Sequence, residues 1–148
     1  MARRRSHAPS WRCLGAGVTR LFYARLDGPP VPQARARVAK TGHAYYPKTS
    51  VAYRAALIEQ MTLHAPVGMH GRRWARKWSP AIVSVPCRID IGVAGARANS
   101  DLDNYAKMAL DALQDAGVLA SDDVRTVQAL RVECVDGEPR MEVTIWSA

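Results

Sequence analysis

Apolar positions along the 148-residue chain change period several times, and the changes mark out its elements. "TRLFYARL" (19–26) alternates well enough for a strand, stopped by the turn-rich "DGPPVP". "QARARVAKTGHAYYPKT" (33–49) is basic, glycine-interrupted and poor in aliphatics. It predicts a loop or short hairpin, with Tyr45 and Tyr46 in a short strand. Over 49–65 the apolar residues at 51, 55, 58 and 61 have helical spacing, with Ser50 or Thr49 as candidate N-cap. "PVGMHGRRWARKWSP" (66–80) reads as a basic loop. "AIVSVPCRIDIGV" (81–93) is a β-branched strand, and Pro86 places it at an edge or a bulge.

The clearest stripe follows: Leu102, Tyr105, Ala106, Ala109, Leu110, Leu113 and Ala116 keep the i, i+3, i+4, i+7 spacing of an amphipathic helix, stopped by Gly117. Two further strands, "VRTVQALRVECV" (124–135) and "RMEVTIW" (140–146), flank a turn at "DGEP". The pattern predicts one small α+β domain over 19–148, a mixed four- or five-stranded sheet packed with two main helices. Residues 1–18 are expected to be a flexible basic tail.

Composition narrows the class. At 48% hydrophobic and 23% charged the chain can bury a real core. No apolar run approaches the roughly 18–20 residues of a membrane span. Arg20 and Arg25 break the only candidate signal-peptide core, so a cytoplasmic location is expected. Cys13, Cys87 and Cys134 form no CxxC pair, which argues against a zinc ribbon or a disulfide framework. Cys87 and Cys134, in strand-like stretches, are expected to be small buried thiols. The histidines (7, 43, 64 and 70) lack metal-ligand spacing.

Charge is split along the chain. Residues 1–88 hold 16 Lys/Arg against 2 Asp/Glu, a net of +14, and residues 89–148 hold 5 against 11, a net of −6. A basic half with aromatics among clustered arginines points to nucleic acid rather than to a surface kept basic for solubility. Candidate backbone contacts are Arg35, Arg37, Lys40 and Lys48, then Arg72, Arg73, Arg76 and Lys77, and Arg97. Trp74 and Trp78 read as loop anchors packed on the core rather than as wedges in DNA.

Against this background "NSDLDNYAKMALDALQDAGVLASDD" (99–123) gathers six of the thirteen acidic residues. Ser100 and Asp103 fit a capping box, Asp111 and Asp115 fall on a polar helix face, and Ser121-Asp122-Asp123 suits a turn. That accounts for each residue singly, and less well for their grouping. Where a chain passes from extended to helical, side chains at i and i+2 can share a side, so Asp101 and Asp103 can reach one point. A reversal after Gly117 is expected to return Asp122 or Asp123 to them. Three converging carboxylates require a divalent cation, and oxygen-only ligands suit Mg²⁺ or Mn²⁺. Lys107 lies one turn beyond Asp103, placed to stabilise phosphate charge, or else to form an i, i+4 salt bridge.

"SDLDNYAKMALDALQDAGVLASDD" resembles the DLDN-x-x-K…D-A-L…G…DD signature of the RusA-type Holliday junction resolvases, found in bacteria and their phages. "GPPVPQARARVAKTGHAYYPKTSVAY" looks like the same family's N-terminal block, so the likeness covers about residues 20–148. The resemblance implies a homodimeric, Mg²⁺-dependent endonuclease that binds branched four-way DNA and cuts paired strands, in recombination and repair. By that resemblance the catalytic and metal-binding aspartates are Asp101, Asp103 and one of Asp122 and Asp123, with Asp123 better aligned on "VRTV", and the functional lysine is Lys107. This chain departs from the family in having Ala98-Asn99-Ser100 ahead of DLDN. Two other readings stand beside it: a non-enzymatic basic nucleic-acid-binding protein, and a metal-dependent nucleotide phosphohydrolase.

Overall fold

The structure, a computed structural model, describes residues 17–64, 83 and 85–148. Among the described residues six strands and two helices run in the order β1 (Arg20–Asp27), β2 (Arg37–Val38), β3 (Ala44–Tyr45), α1 (Lys48–Leu63), β4 (Cys87–Ala94), α2 (Leu102–Asp115), β5 (Val127–Cys134) and β6 (Arg140–Ser147). Four strands form a mixed sheet in the order β1-β6-β4-β5, while β2 and β3 form a separate antiparallel hairpin. β1/β6 and β6/β4 pair antiparallel and β4/β5 pair parallel. Two helices against one four-stranded sheet make the α+β domain that the pattern predicts.

Alternation in the strands sets the sheet's two faces. Cys87, Ile89, Ile91 and Val93 of β4 and Met141, Val143 and Ile145 of β6 are buried, with Phe22 and Ala24 of β1 beside them. The intervening residues face the other way, among them Arg88, Asp90, Arg140, Glu142 and Thr144. Trp146 donates its indole N–H to Asp90 at 2.8 Å, and Arg140 pairs with Glu142 at 2.8 Å.

β5 lies at the edge, its residues largely exposed, and it carries Cys134 into solvent, whereas Cys87 is buried as expected. Of the edge or bulge that Pro86 predicts for β4, the edge is corrected, since the strand is interior between β6 and β5, and an irregularity at its start fits the bulge. Pro86 precedes it, where no ladder N–H is needed, and a register shift with β5 falls between Cys87 and Arg88.

α2 buries Tyr105, Ala106, Met108, Ala109, Ala112 and Leu113, the predicted stripe widened by Met108 and Ala112. A leucine such as Leu113, fully buried there, contributes about 1.5–3 kcal/mol. α2 is the crossover that two parallel neighbours, β4 and β5, require. It ends as expected at Gly117 (φ +73°). There Gly117 N–H donates to Gln114 C=O and Val118 N–H to Leu113 C=O, a Schellman closure.

α1 differs from expectation in two ways. Its N-cap is Pro47, and Ser50 and Thr49 lie inside the first turn. Ser50, Leu57 and Met61 are buried while Val51 is exposed, so the helix is rotated from the 51/55/58/61 stripe. Ser50 goes inward because its Oγ accepts a hydrogen bond from Ala34 N–H at 3.4 Å, tying the 28–36 loop down.

Candidate active site

The site begins where β4 ends. Gly95 turns the chain at φ +73°, and a Cβ there would sit 3.0 Å from Pro139. Residues 95–101 then fold back to α2, held by two hydrogen bonds. Arg97 N–H donates to the buried Tyr105 Oη at 3.1 Å, and Ser100 N–H donates to Arg97 C=O at 3.1 Å. The expected capping box is corrected here: the N-cap is Asp101, not Ser100, and its side chain makes no capping bond. Asp101 is extended (φ −72°, ψ 135°) and Leu102 begins the helix, the switch that lets carboxylates at i and i+2 face one side.

Asp101 and Asp103 are both exposed. Neither has an ion-pair partner among the described residues, and the positive end of the α2 dipole offsets part of their repulsion. Lys107 is likewise exposed one turn on, without the i, i+4 ion pair to Asp103.

The remaining acids of the segment have other partners. Arg54 of α1 donates to Asp115 Oδ2 at 2.9 Å and lies 3.7 Å from Asp111 Oδ2, so this pair clamps α1 to α2. Asp123 holds its own turn: its carboxylate accepts from Arg125 N–H at 3.0 Å and Thr126 N–H at 3.2 Å, and pairs with the Arg125 guanidinium at 2.8 Å. The Arg125 hydrogen bond leads the causes that lower its carboxyl from 3.8 to about 2. Asp122 is exposed and has no ion pair among the described residues.

The expected return of Asp122 and Asp123 does not occur within one chain. Asp101 and Asp103 stand at the start of α2, by the C-terminal end of β4. Asp123 lies beyond the helix end, beside the start of β4, where Cys87 N–H donates to Thr126 C=O at 2.7 Å. A 14-residue helix, roughly 20 Å long, runs between the two pairs. No group of three His, Cys, Asp or Glu side chains fit to hold a metal occurs among the described residues. The reversal after Gly117 carries the chain along the foot of β4, and the strand that climbs back ends at Cys134, not at an aspartate.

Of the basic residues, Arg35, Arg37, Lys40, Lys48 and Arg97 are exposed. The loop bearing the first two is moored to the site, because Gln33 N–H donates to Asn104 C=O at 2.9 Å. Arg72, Arg73, Arg76, Lys77, Trp74 and Trp78, like the 1–16 part of the predicted tail, lie outside the described residues. Gln33 and Arg54, which the sequence did not single out, prove structural to the site, and so does the hydroxyl of Tyr105. Tyr105 was visible only as a core position, and nothing in the sequence marks its hydroxyl as a partner of Arg97.

The donors present suit a hard divalent cation. Asp101 and Asp103 offer only carboxylate oxygens, exposed and uncommitted to any described cation, with room for water ligands, as Mg²⁺ or Mn²⁺ prefers. No helix among the described residues is long and apolar enough to cross a membrane.

A basic α+β domain that presents two exposed carboxylates and a lysine at a helix start has the makings of a phosphodiester-cleaving protein. The family model described as Endodeoxyribonuclease RusA matches residues 27–146. The chain belongs to that family, and membership makes it an endodeoxyribonuclease of the Holliday junction resolvase class, acting on DNA. No curated protein gives a significant match.

Proposed function

We propose that this protein is a homodimeric, Mg²⁺-dependent resolvase that cuts four-way DNA junctions by paired phosphodiester hydrolysis during recombination and repair. It would act in the cytoplasm of a bacterium or phage-infected cell. The observation that carries the reading is the Asp101-Leu102-Asp103 switch from extended to helical backbone, with both carboxylates exposed and unpaired among the described residues and Lys107 one turn away. In this reading Asp101 and Asp103 hold the cation, with Mn²⁺ as an alternative. The cation, when bound, supplies Lewis-acid neutralisation of phosphate charge and acidifies water. The Lys107 ammonium stabilises charge on a non-bridging phosphate oxygen or orients the attacking water. Arg35, Arg37, Lys40, Lys48 and Arg97, with Arg72, Arg73, Arg76 and Lys77, take the DNA backbone without reading bases.

The third carboxylate comes from the second copy. One chain keeps Asp122 and Asp123 a helix length away from Asp101, and a two-fold dimer can bring the partner's pair across. Asp122 is the freer ligand because the Asp123 carboxylate is engaged in its turn.

Two measurements test this. Wild type should nick a mobile four-way junction and spare linear duplex when Mg²⁺ is added, and Asp103→Asn should bind the junction but not cut it. Cutting by Asp103→Asn at the wild-type rate would remove the metal-site assignment. Mixing Asp103→Asn with the double variant Asp122→Asn/Asp123→Asn should restore roughly a quarter of the active sites, since half the dimers are mixed and each has one intact site. No restoration from two inactive parents would mean that all three ligands belong to one chain, and a double variant that cuts by itself would mean that the Asp122/Asp123 pair is not used.

A further inference from the structure

We infer that the β2–β3 hairpin is a stacking platform for unpaired bases at the branch point of DNA, with Tyr45 and Tyr46 as the stacking rings. The hairpin stands apart from the four-stranded sheet. A two-residue strand pair buries little of its own surface and is not stabilised by length. Yet it carries three of the chain's exposed large apolar side chains: Val38 at 72%, Tyr45 at 48% and Tyr46 at 51% exposure. Solvent-facing aromatics in a loop without a core to serve mark a binding surface rather than a packing one.

The register decides what lies beside the rings. Arg37 pairs with Tyr45 and Val38 with Ala44, so the Arg37 guanidinium and the Tyr45 ring share one face of the hairpin. Tyr46 follows on the opposite side, with Val38. The hairpin's own stretch carries one sign of charge: residues 28–48 include Arg35, Arg37, Lys40 and Lys48 and no Asp or Glu. Rings alternating with cations suit single-stranded or unstacked nucleic acid, since bases stack on the rings while the cations take the flanking phosphates. A peptide or lipid partner would leave that cation excess uncompensated unless it were itself acidic.

Position links the platform to the chemistry. Gln33 N–H to Asn104 C=O, at 2.9 Å, moors the chain just before the hairpin to the first turn of α2, where Asp101 and Asp103 lie. The chain that leads into the hairpin is thereby tied to the helix start that carries the carboxylates. The inference rests on the branched-DNA reading above and adds the part of the branch that is recognised.

A thermodynamic cycle in EDTA, with the full-length chain, tests it. The probes are a four-way junction, the same junction with abasic sites at the branch point, and a linear duplex. Wild type is expected to bind the intact junction roughly tenfold tighter than the abasic one. Tyr45→Ala/Tyr46→Ala should bind both junctions equally and keep its duplex affinity, and Tyr45→Phe/Tyr46→Phe should restore the preference. An alanine pair that still favours the intact junction tenfold, or a wild type indifferent to the abasic sites, would overturn the platform. Equal wild-type affinity for junction and duplex would sink the branched-DNA reading and the platform with it. Because both rings are exposed, circular dichroism and Tm of the alanine pair should match wild type.

Discussion

Two tyrosines behind the carboxylate pair differ in what their hydroxyls do. Tyr105 Oη accepts the Arg97 amide and so pins the loop that delivers Asp101 and Asp103. Tyr53 Oη is buried with no partner among the described residues, and burial, followed by the neighbouring Tyr105, pushes its ionisation well above the usual phenol range. Opposite outcomes are expected from the same substitution. Tyr105→Phe leaves a backbone N–H unpaired and should weaken Mn²⁺ binding about tenfold, the scale seen when a ligand's support is removed, measurable by electron paramagnetic resonance on the free protein. Tyr53→Phe removes an unsatisfied polar atom and should leave Mn²⁺ binding unchanged, with Tm equal or higher.

Asp123 offers a pH test of the turn it holds. Its folded-state value, about 2, lies below the ordinary 3.8, so the turn gains stability from the ionised carboxylate above the ordinary value. That contribution is lost as pH falls through 3.8 toward about 2. Amide exchange at Arg125 and Thr126 should therefore accelerate, relative to its intrinsic rate, over that window. In Asp123→Asn the acceleration should be absent.

Among the elements, α2 was the most legible and α1 the least, for a physical reason. α2 alternates strong apolar and charged residues at helical spacing, so one face alone can enter the core. α1 is rich in alanine and small polar groups, so its rotation is set by what it meets: β1, α2 and the Ala34 amide that claims Ser50. The capping box at Ser100 failed similarly, because the loop uses Ser100 N–H for its own closure and leaves Asp101 at the N-cap.

The end of α2 is a point where element and site meet. Gly117 at φ +73° lets the Schellman closure form, and a Cβ added there would meet nothing within 4 Å among the described residues. Gly117→Ala should thus cost only the left-handed backbone strain, about 1 kcal/mol, lowering Tm by about 2–4 °C, while Gly117→Asn costs less. Thermal denaturation of the two variants checks the order.

For the assembled protein the dominant long-range force is charge. A first portion of net +14 should make DNA affinity steeply salt-dependent, through counterion release. Removing Arg35 and Arg37 together should lower the slope of log K against log salt by roughly 2, and equally for all sequences. A loss confined to one sequence would mean that these arginines read bases.

Local chemistry along the chain was enough to identify the strands, the α2 stripe, the Gly117 stop, the basic portion and the crowding of acids over 99–123, because period, turn residues and charge act over a few neighbours. The mooring of the Gln33 loop to Asn104, the Arg54 clamp, the Tyr105 latch and the separation of Asp123 from Asp101 are contacts and distances set between separate elements of the fold. Those depend on a parallel β4–β5 pairing that puts the start and end of α2 at opposite ends of the sheet. Strand direction leaves no periodic trace in a sequence, so only the folded chain shows that the six acids divide into an exposed pair, a clamp and a turn.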